Sequence, residues 1–413
     1  MIALVNPVSS GSELAAAFAE EGADCLLVHT RDQASAFHRA TANGRRSHLH
    51  TELAGTAEYL RSAGVRTVIA ASEFGVTLAD ELSELLGLPH HRHELRAARR
   101  DKYLMARALA DAGLPHARTV LLRTEAELRD ALDGWDAFPL VIKPLNSAGS
   151  DGCHISADAA EAVAAFRRIA GRPNLTGEVN DAVLLQEFLQ GTQYIVNTVS
   201  MEGRHLTSEV YAERIDRSEG APVLRHIISR PVLNDAEREL VDYVSRCLDA
   251  LGIREGAAHT EVMLTGRGPR LVEVNSRVMG PSLAPDPYHA AFGYSHQHLV
   301  VERFLRPQEF ARRFELPYTA ARTVAKVFLR PHRPGVLLAV EGARVLRRLA
   351  GFHSIDRLPA VGEPIHDRHL TTGRSGIAYL VHEDEDLLLS SLGVLHDLED
   401  TGGFYRLAEA ERN

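Results

Sequence analysis

The segments His259-Thr260-Glu261-Val262-Met263 and Leu271-Val272-Glu273-Val274-Asn275-Ser276-Arg277, joined by Gly266-Arg267-Gly268-Pro269, read as a tight β-hairpin bearing an acidic pair. Side chains alternate faces along a strand, so Glu273, Asn275 and Arg277 share one face. The turn brings Glu261 opposite Glu273. Two carboxylates and an amide oxygen are hard ligands suited to Mg²⁺. Like charges this close repel unless a cation lies between them. A half-exposed hairpin with an ordinary Glu–Arg pair has the same residues, so the hairpin needs its context.

Upstream, the apolar strand Phe138-Pro139-Leu140-Val141-Ile142 ends in Lys143-Pro144. A lysine there is awkward unless its ammonium meets an anion. Asn146-Ser147-Ala148-Gly149-Ser150-Asp151-Gly152 follows, and small residues with glycines let backbone N–H groups approach a phosphate. No Gly-Lys-Ser/Thr follows at Walker spacing. Alone, this is also a hairpin with a solvated lysine. The stretch from Leu184 to Tyr194, an apolar strand with Gln186 and Glu187 followed by Gly191, is uninformative in isolation.

The first 90 or so residues alternate strands (Ile2–Val5, Asp24–His29, Thr67–Ala70) with helices (Ser12–Glu21, Leu53–Ala63, Glu73–Leu86). That order predicts a small doubly wound parallel sheet. The dinucleotide fingerprint is missing, and Asn6-Pro7-Val8-Ser9-Ser10-Gly11 reads as a substrate-facing loop or plain turn more readily than a phosphate site. Gly87-Leu88-Pro89-His90-His91-Arg92-His93 reads as a solvated linker rather than a metal site, because no acid or thiolate sits at ligand spacing. The middle of the chain is α+β. It has helix Arg99–Ala112, strand Arg118–Leu122, helix Glu125–Leu132, strand-like runs at 182–189, 194–200 and 205–211, and helix Asp235–Leu251. From about 322 the sequence reads as short strands and turns, punctuated by Gly335, Gly342, Gly362 and Gly373.

At 413 residues the chain fits two or three domains. The expected division is 1–95, 96–321 with a lid subdomain at about 118–190, and 322–413. A net charge of −9 argues against a nucleic-acid partner. No stretch reaches a membrane span, and Ile2-Ala3-Leu4-Val5 is too short for a signal core, so a cytoplasmic protein is expected. Cys25, Cys153 and Cys247 share no metal or redox spacing and suit a reducing compartment.

Taken together, these elements resemble the ATP-grasp superfamily, over about residues 1 to 400. Ser72-Glu73-Phe74-Gly75-Val76, Arg100-Asp101-Lys102, the 186–200 segment and His259-Thr260-Glu261 are similar to its carboxylate–amine ligases that join amino acids into dipeptides. The resemblance implies an ATP-grasp fold with an N-terminal α/β domain, a central domain with a lid, and a C-terminal part packed on it. It implies ATP steadied by Lys102 and Lys143 beneath a lid loop containing Ser147, Gly149, Ser150 and Gly152. The adenine hinge would be Gln186, Glu187, Phe188 and Leu189, with Gln193 at a ribose position where relatives often have glutamate. Mg²⁺, with Mn²⁺ as a substitute, would sit on Glu261, Glu273 and Asn275. Arg277 would hold the transferred phosphate and developing oxyanion, and His259 would orient a substrate, accept a proton or be structural. Glu73, Met279 and Gly280 would shape the substrate pocket, where Val278-Met279-Gly280-Pro281 replaces the paired glycines of many relatives. The implied partners are small carboxylate and amine substrates, with room for a homodimer. The implied reaction forms an acyl phosphate, then an amide, releasing ADP and phosphate. A non-catalytic ATP-binding regulator and a bicarbonate-using carboxylase are the competing readings.

Overall fold

The computed structural model describes residues 1–135, 137–147, 151–174, 177–218, 221–281, 284–365 and 373–408. Gly149 and Ser150 therefore lie outside the described residues.

The N-terminal strands form a parallel four-stranded sheet in the order Ser47–Leu49, Cys25–His29, Ile2–Val5, Thr67–Ala70. Ile2–Val5 and Cys25–His29 are buried throughout, as strands covered on both faces must be. The polar stretch after His29 carries helix Ala34–Ala42 and strand Ser47–Leu49. The sequence reading left both out, because only Ala36 of that helix is buried and its apolar period is faint.

An antiparallel eight-stranded sheet forms the centre. Its order is Gly268–Asn275, Gly256–Thr265, Gly191–Met201, Arg204–Ser218, Ala221–Ser229, Thr323–Phe328, Ile377–His382, Phe352–Arg357. Helix Asp235–Ala250, opened by an Asn234–Glu237 capping box, packs Leu240, Tyr243, Val244 and Leu248 on it. Strands Thr323–Phe328, Ile377–His382 and Phe352–Arg357 hydrogen-bond into the central sheet, while Gly335–Ala339, Pro364–Ile365 and Arg406–Ala408 form a small sheet of their own. They are joined by helix Glu385–Asp400, where the sequence suggested only strands and turns. Asp384 caps that helix, and Leu388, Leu392 and Leu395 are its buried stripe.

A second antiparallel sheet, ordered Thr119–Leu122, Val183–Glu187, Leu140–Pro144, His154–Ser156, lies within the 118–190 span expected of a lid. Helix Ala159–Ile169 covers it with Ala162, Val163, Phe166 and Ile169. The linker histidines are not all solvated. His91 Nδ1 accepts the Arg254 N–H at 3.1 Å, and burial pulls its pKa down to about 4. Buried Arg99 bonds Asp80 at 2.7 Å and the Leu251 carbonyl at 3.1 Å, fastening the N-terminal domain to the centre. Among the described residues no helix is long and apolar enough to cross a membrane.

Candidate active site

A cavity of about 440 Å³ opens where the three parts meet. The hairpin supplies one wall. Register pairs Glu261 with Glu273 and His259 with Asn275, as strand alternation required. Glu261, Glu273, His259 and Arg277 line the cavity; Asn275 is buried across from His259 and does not. A bulge after Glu261 shifts the ladder there.

Lys102 reaches this wall because Asp101 ends the preceding turn. Its carboxylate accepts the N–H groups of Tyr103 (2.8 Å) and Leu104 (3.0 Å), so the helix starts at Lys102. Lys102 Nζ lies 2.9 Å from Glu273 Oε1 and 3.4 Å from the Ser147 carbonyl. Lys143, at its strand end, is buried in the wall beside Cys153, and that burial pulls its pKa down. Ser147 Oγ donates to Asp151 at 2.8 Å. Gly152 has φ +69°, and a Cβ there would stand 3.1 Å from Pro144, so a side chain would be strained.

Burial alone would raise the Glu261 carboxyl. His259, Lys102 and Arg277 outweigh it and hold the group below the usual carboxylate range. Gln193 Nε2 donates to Glu261 Oε2 at 3.1 Å. His259 Nε2 stands 3.7 Å from Glu261 Oε1. Its Nδ1 lies 3.0 Å from Asn197 Oδ1, and Asn197 Nδ2 is directed at Glu209 Oε2 at 2.7 Å. Asn197 Oδ1 can therefore accept from His259 Nδ1, while Nε2 faces Glu261. Burial pushes the Glu209 carboxyl up to about 7.

The opposite wall is the turn after strand Thr67–Ala70. Glu73 takes Arg277 Nε at 2.8 Å and also pairs with Arg100. Val8, Ser9 and Ser10 line the cavity as well, so the Asn6–Gly11 turn faces it. A Cβ on Gly11 would sit 2.4 Å from the Ala71 carbonyl, which reserves that close approach for glycine. Met279 is buried in the lining, and Gly280 lies in it near Ser10.

The proposed hinge lies apart from these groups. Gln186, Glu187, Phe188 and Leu189 do not line this cavity, although Gln193 does. Gln186 Nε2 donates to Thr119 Oγ1 at 2.9 Å. Glu187 accepts the Arg118 N–H and pairs with Arg267 of the hairpin turn, tying the lid to the hairpin. Sequence reasoning gave no role to Arg100, Asn197, Glu209, Cys153 or Glu213. Only the Arg100-Asp101-Lys102 run and the 186–200 segment, which holds Asn197, offered a signal, through their similarity to ligases.

Among the described residues no three or more His, Cys, Asp or Glu are grouped to hold a metal unaided. Mg²⁺ commonly binds one or two protein carboxylates and completes its shell with water and substrate phosphates. Glu261 and Glu273, facing one cavity with lysines beside them, fit that use.

Residues 136–286 match the model of the ATP-grasp domain. The chain is 30% identical to dapdiamide A synthase of Enterobacter agglomerans, over 98% of this chain and 97% of that protein. It is 25% identical to alanine–anticapsin ligase of Bacillus subtilis strain 168, over 58% of this chain and 54% of that one. The solved L-amino acid ligase from Bacillus licheniformis superposes with a TM-score of 0.77 at 18% identity, covering 99% of this chain and 98% of the other. With the paired acids, lysines and arginine gathered in one cavity, these likenesses establish that the chain belongs to the ATP-grasp family, as an ATP-dependent carboxylate–amine ligase.

Proposed function

We propose that this ligase joins two amino-acid-like substrates in the 440 Å³ cavity, with each wall serving one charge. The observation that carries the reading is the single lining shared by Glu261, Glu273, Lys102, Lys143 and Arg277. A substrate carboxylate oxygen attacks the γ-phosphorus of ATP, breaking its bond to the bridging oxygen and releasing ADP. The acyl phosphate then loses phosphate as the amine nitrogen bonds the acyl carbon and gives up a proton. Lys102 and Lys143 offset phosphate charge. Glu261 and Glu273 would hold Mg²⁺, which when bound supplies the charge neutralisation between these carboxylates and the ATP phosphates. Arg277, already turned into the cavity, offers a planar fork to the transferred phosphate and the oxyanion. His259 stands beside Glu261 in the lining, placed to orient a substrate. The lid, with Ser147 and Gly152, excludes water from the acyl phosphate.

The test is phosphate release across pairs of amino acids, with the nucleotide product separated by chromatography. ADP formation that depends on both partners is expected. AMP and pyrophosphate as main products would overturn the acyl-phosphate route. ADP formation driven by bicarbonate alone would make the chain a carboxylase.

A further inference from the structure

Three of the acids lining the cavity have partners in this structure. Glu273 has Lys102 at 2.9 Å, Glu73 has Arg277 at 2.8 Å together with Arg100, and Glu261 receives Gln193 at 3.1 Å. Glu213, on strand Arg204–Ser218, also lines the cavity. Among the described residues no cation or side-chain donor reaches its carboxylate. The strand between Glu213 and Glu261 carries Gln193, whose amide is turned to Glu261. Across the other ladder Glu213 faces Ile227, and the next cavity residue, Ile215, faces Leu224. The carboxylate thus ends an apolar trough on the cavity wall. A carboxylate placed so is costly unless a cation arrives with the ligand.

Mg²⁺ suits this corner poorly. It demands octahedral oxygen coordination and keeps its waters, whereas Ile215, Leu224 and Ile227 offer none. An ammonium on a hydrocarbon stem matches both the acid and the trough.

We infer that Glu213 and the trough of Ile215, Leu224 and Ile227 form a subsite for the basic side chain of one amino-acid substrate. This rests on the amino-acid ligase reading and names one substrate class for it. Glu213 is then the residue that selects lysine- or ornithine-like side chains over neutral ones of equal length.

The experiment measures phosphate release by the full chain with lysine, ornithine or norleucine paired with a panel of neutral amino acids, at saturating ATP and Mg²⁺. The basic substrates should be preferred over norleucine in kcat/KM by on the order of 10–100-fold, the worth of one charged hydrogen bond. Glu213→Gln should erase that preference, Glu213→Asp should keep part of it, and Glu213→Lys should turn it toward glutamate. Equal use of lysine and norleucine by the unaltered enzyme would overturn the subsite and leave the ligase reading intact. So would a Glu213→Gln protein that keeps the preference but requires more Mg²⁺. Absence of phosphate release with every pair would overturn both.

Discussion

The two walls of the cavity hold their acids in opposite ways. On the hairpin, only Glu273 of the two acids is directly paired with a lysine, Lys102, while Lys143 lies buried in the same lining, so the two carboxylates outnumber their directly paired cation. On the N-terminal turn, one carboxylate, Glu73, sits between two arginines, leaving a surplus of positive charge. The first wall attracts a dication, the second an anion. The supports differ as well. The acids of the hairpin are fixed by paired strands, whereas Glu73 stands in a short 3₁₀ turn and owes its position to the arginines. Phosphoryl transfer needs both charges within one small volume, and two separate structural units provide them here.

The strongest challenge to this contrast is Glu273→Gln. Removing one anion from the negative wall should cut turnover by about 10³-fold or more, with far-ultraviolet circular dichroism unchanged. Near-normal rates at ordinary Mg²⁺ would make the hairpin structural. Arg277→Ala comes next. The rate should fall by on the order of 10²–10³ while ATP affinity changes little, and lysine should rescue only in part. Because Arg277 also holds Glu73, the melting temperature should fall too, and the rate per folded molecule separates the two effects. A fully active, equally stable variant would remove the positive wall from the account.

Glu209 sharpens the comparison through stability. Its carboxyl is raised from 4.5 to about 7 by burial, so the folded state binds that proton more tightly than the unfolded chain. Its contribution is therefore fully present below pH 4.5 and is lost as pH rises to about 7, amounting to about 3 kcal/mol. Urea unfolding of Glu209→Gln at pH 5 and pH 8 should show a flatter pH dependence than the parent. An identical slope would rule out Glu209 as the titrating group. The smallest effect belongs to the lid frame. Thr124 and Glu127 form a capping box, so Thr124→Ala should cost about 1 kcal/mol by denaturant melt and leave kcat unchanged.

The hairpin was legible in the sequence because its alternation, turn glycines and acidic pair all lie within one short segment. Lys102 was legible only through the similarity of Arg100-Asp101-Lys102 to ligases, and Lys143 through its strand-end position. The charge balance of the walls was not legible, since Glu73, Arg100 and Arg277 meet only after two domains have packed. Glu213 was invisible for the same reason. On its strand it reads as one polar residue among several, and only the neighbouring ladders show that it ends an apolar trough. Helix Ala159–Ile169 passed unread behind the glycine loop, although Asp158 and Glu161 mark its start.

Because strand Thr323–Phe328 pairs with Ala221–Ser229, the central sheet continues past residue 322 without a seam. A chimera or truncation made there would strip a neighbour from a long inner strand and present its backbone to solvent. Such a bared edge invites intermolecular pairing. Shortened versions of this enzyme should therefore precipitate rather than yield a smaller working unit, and exchanges between relatives should carry residues 191–408 as one cassette.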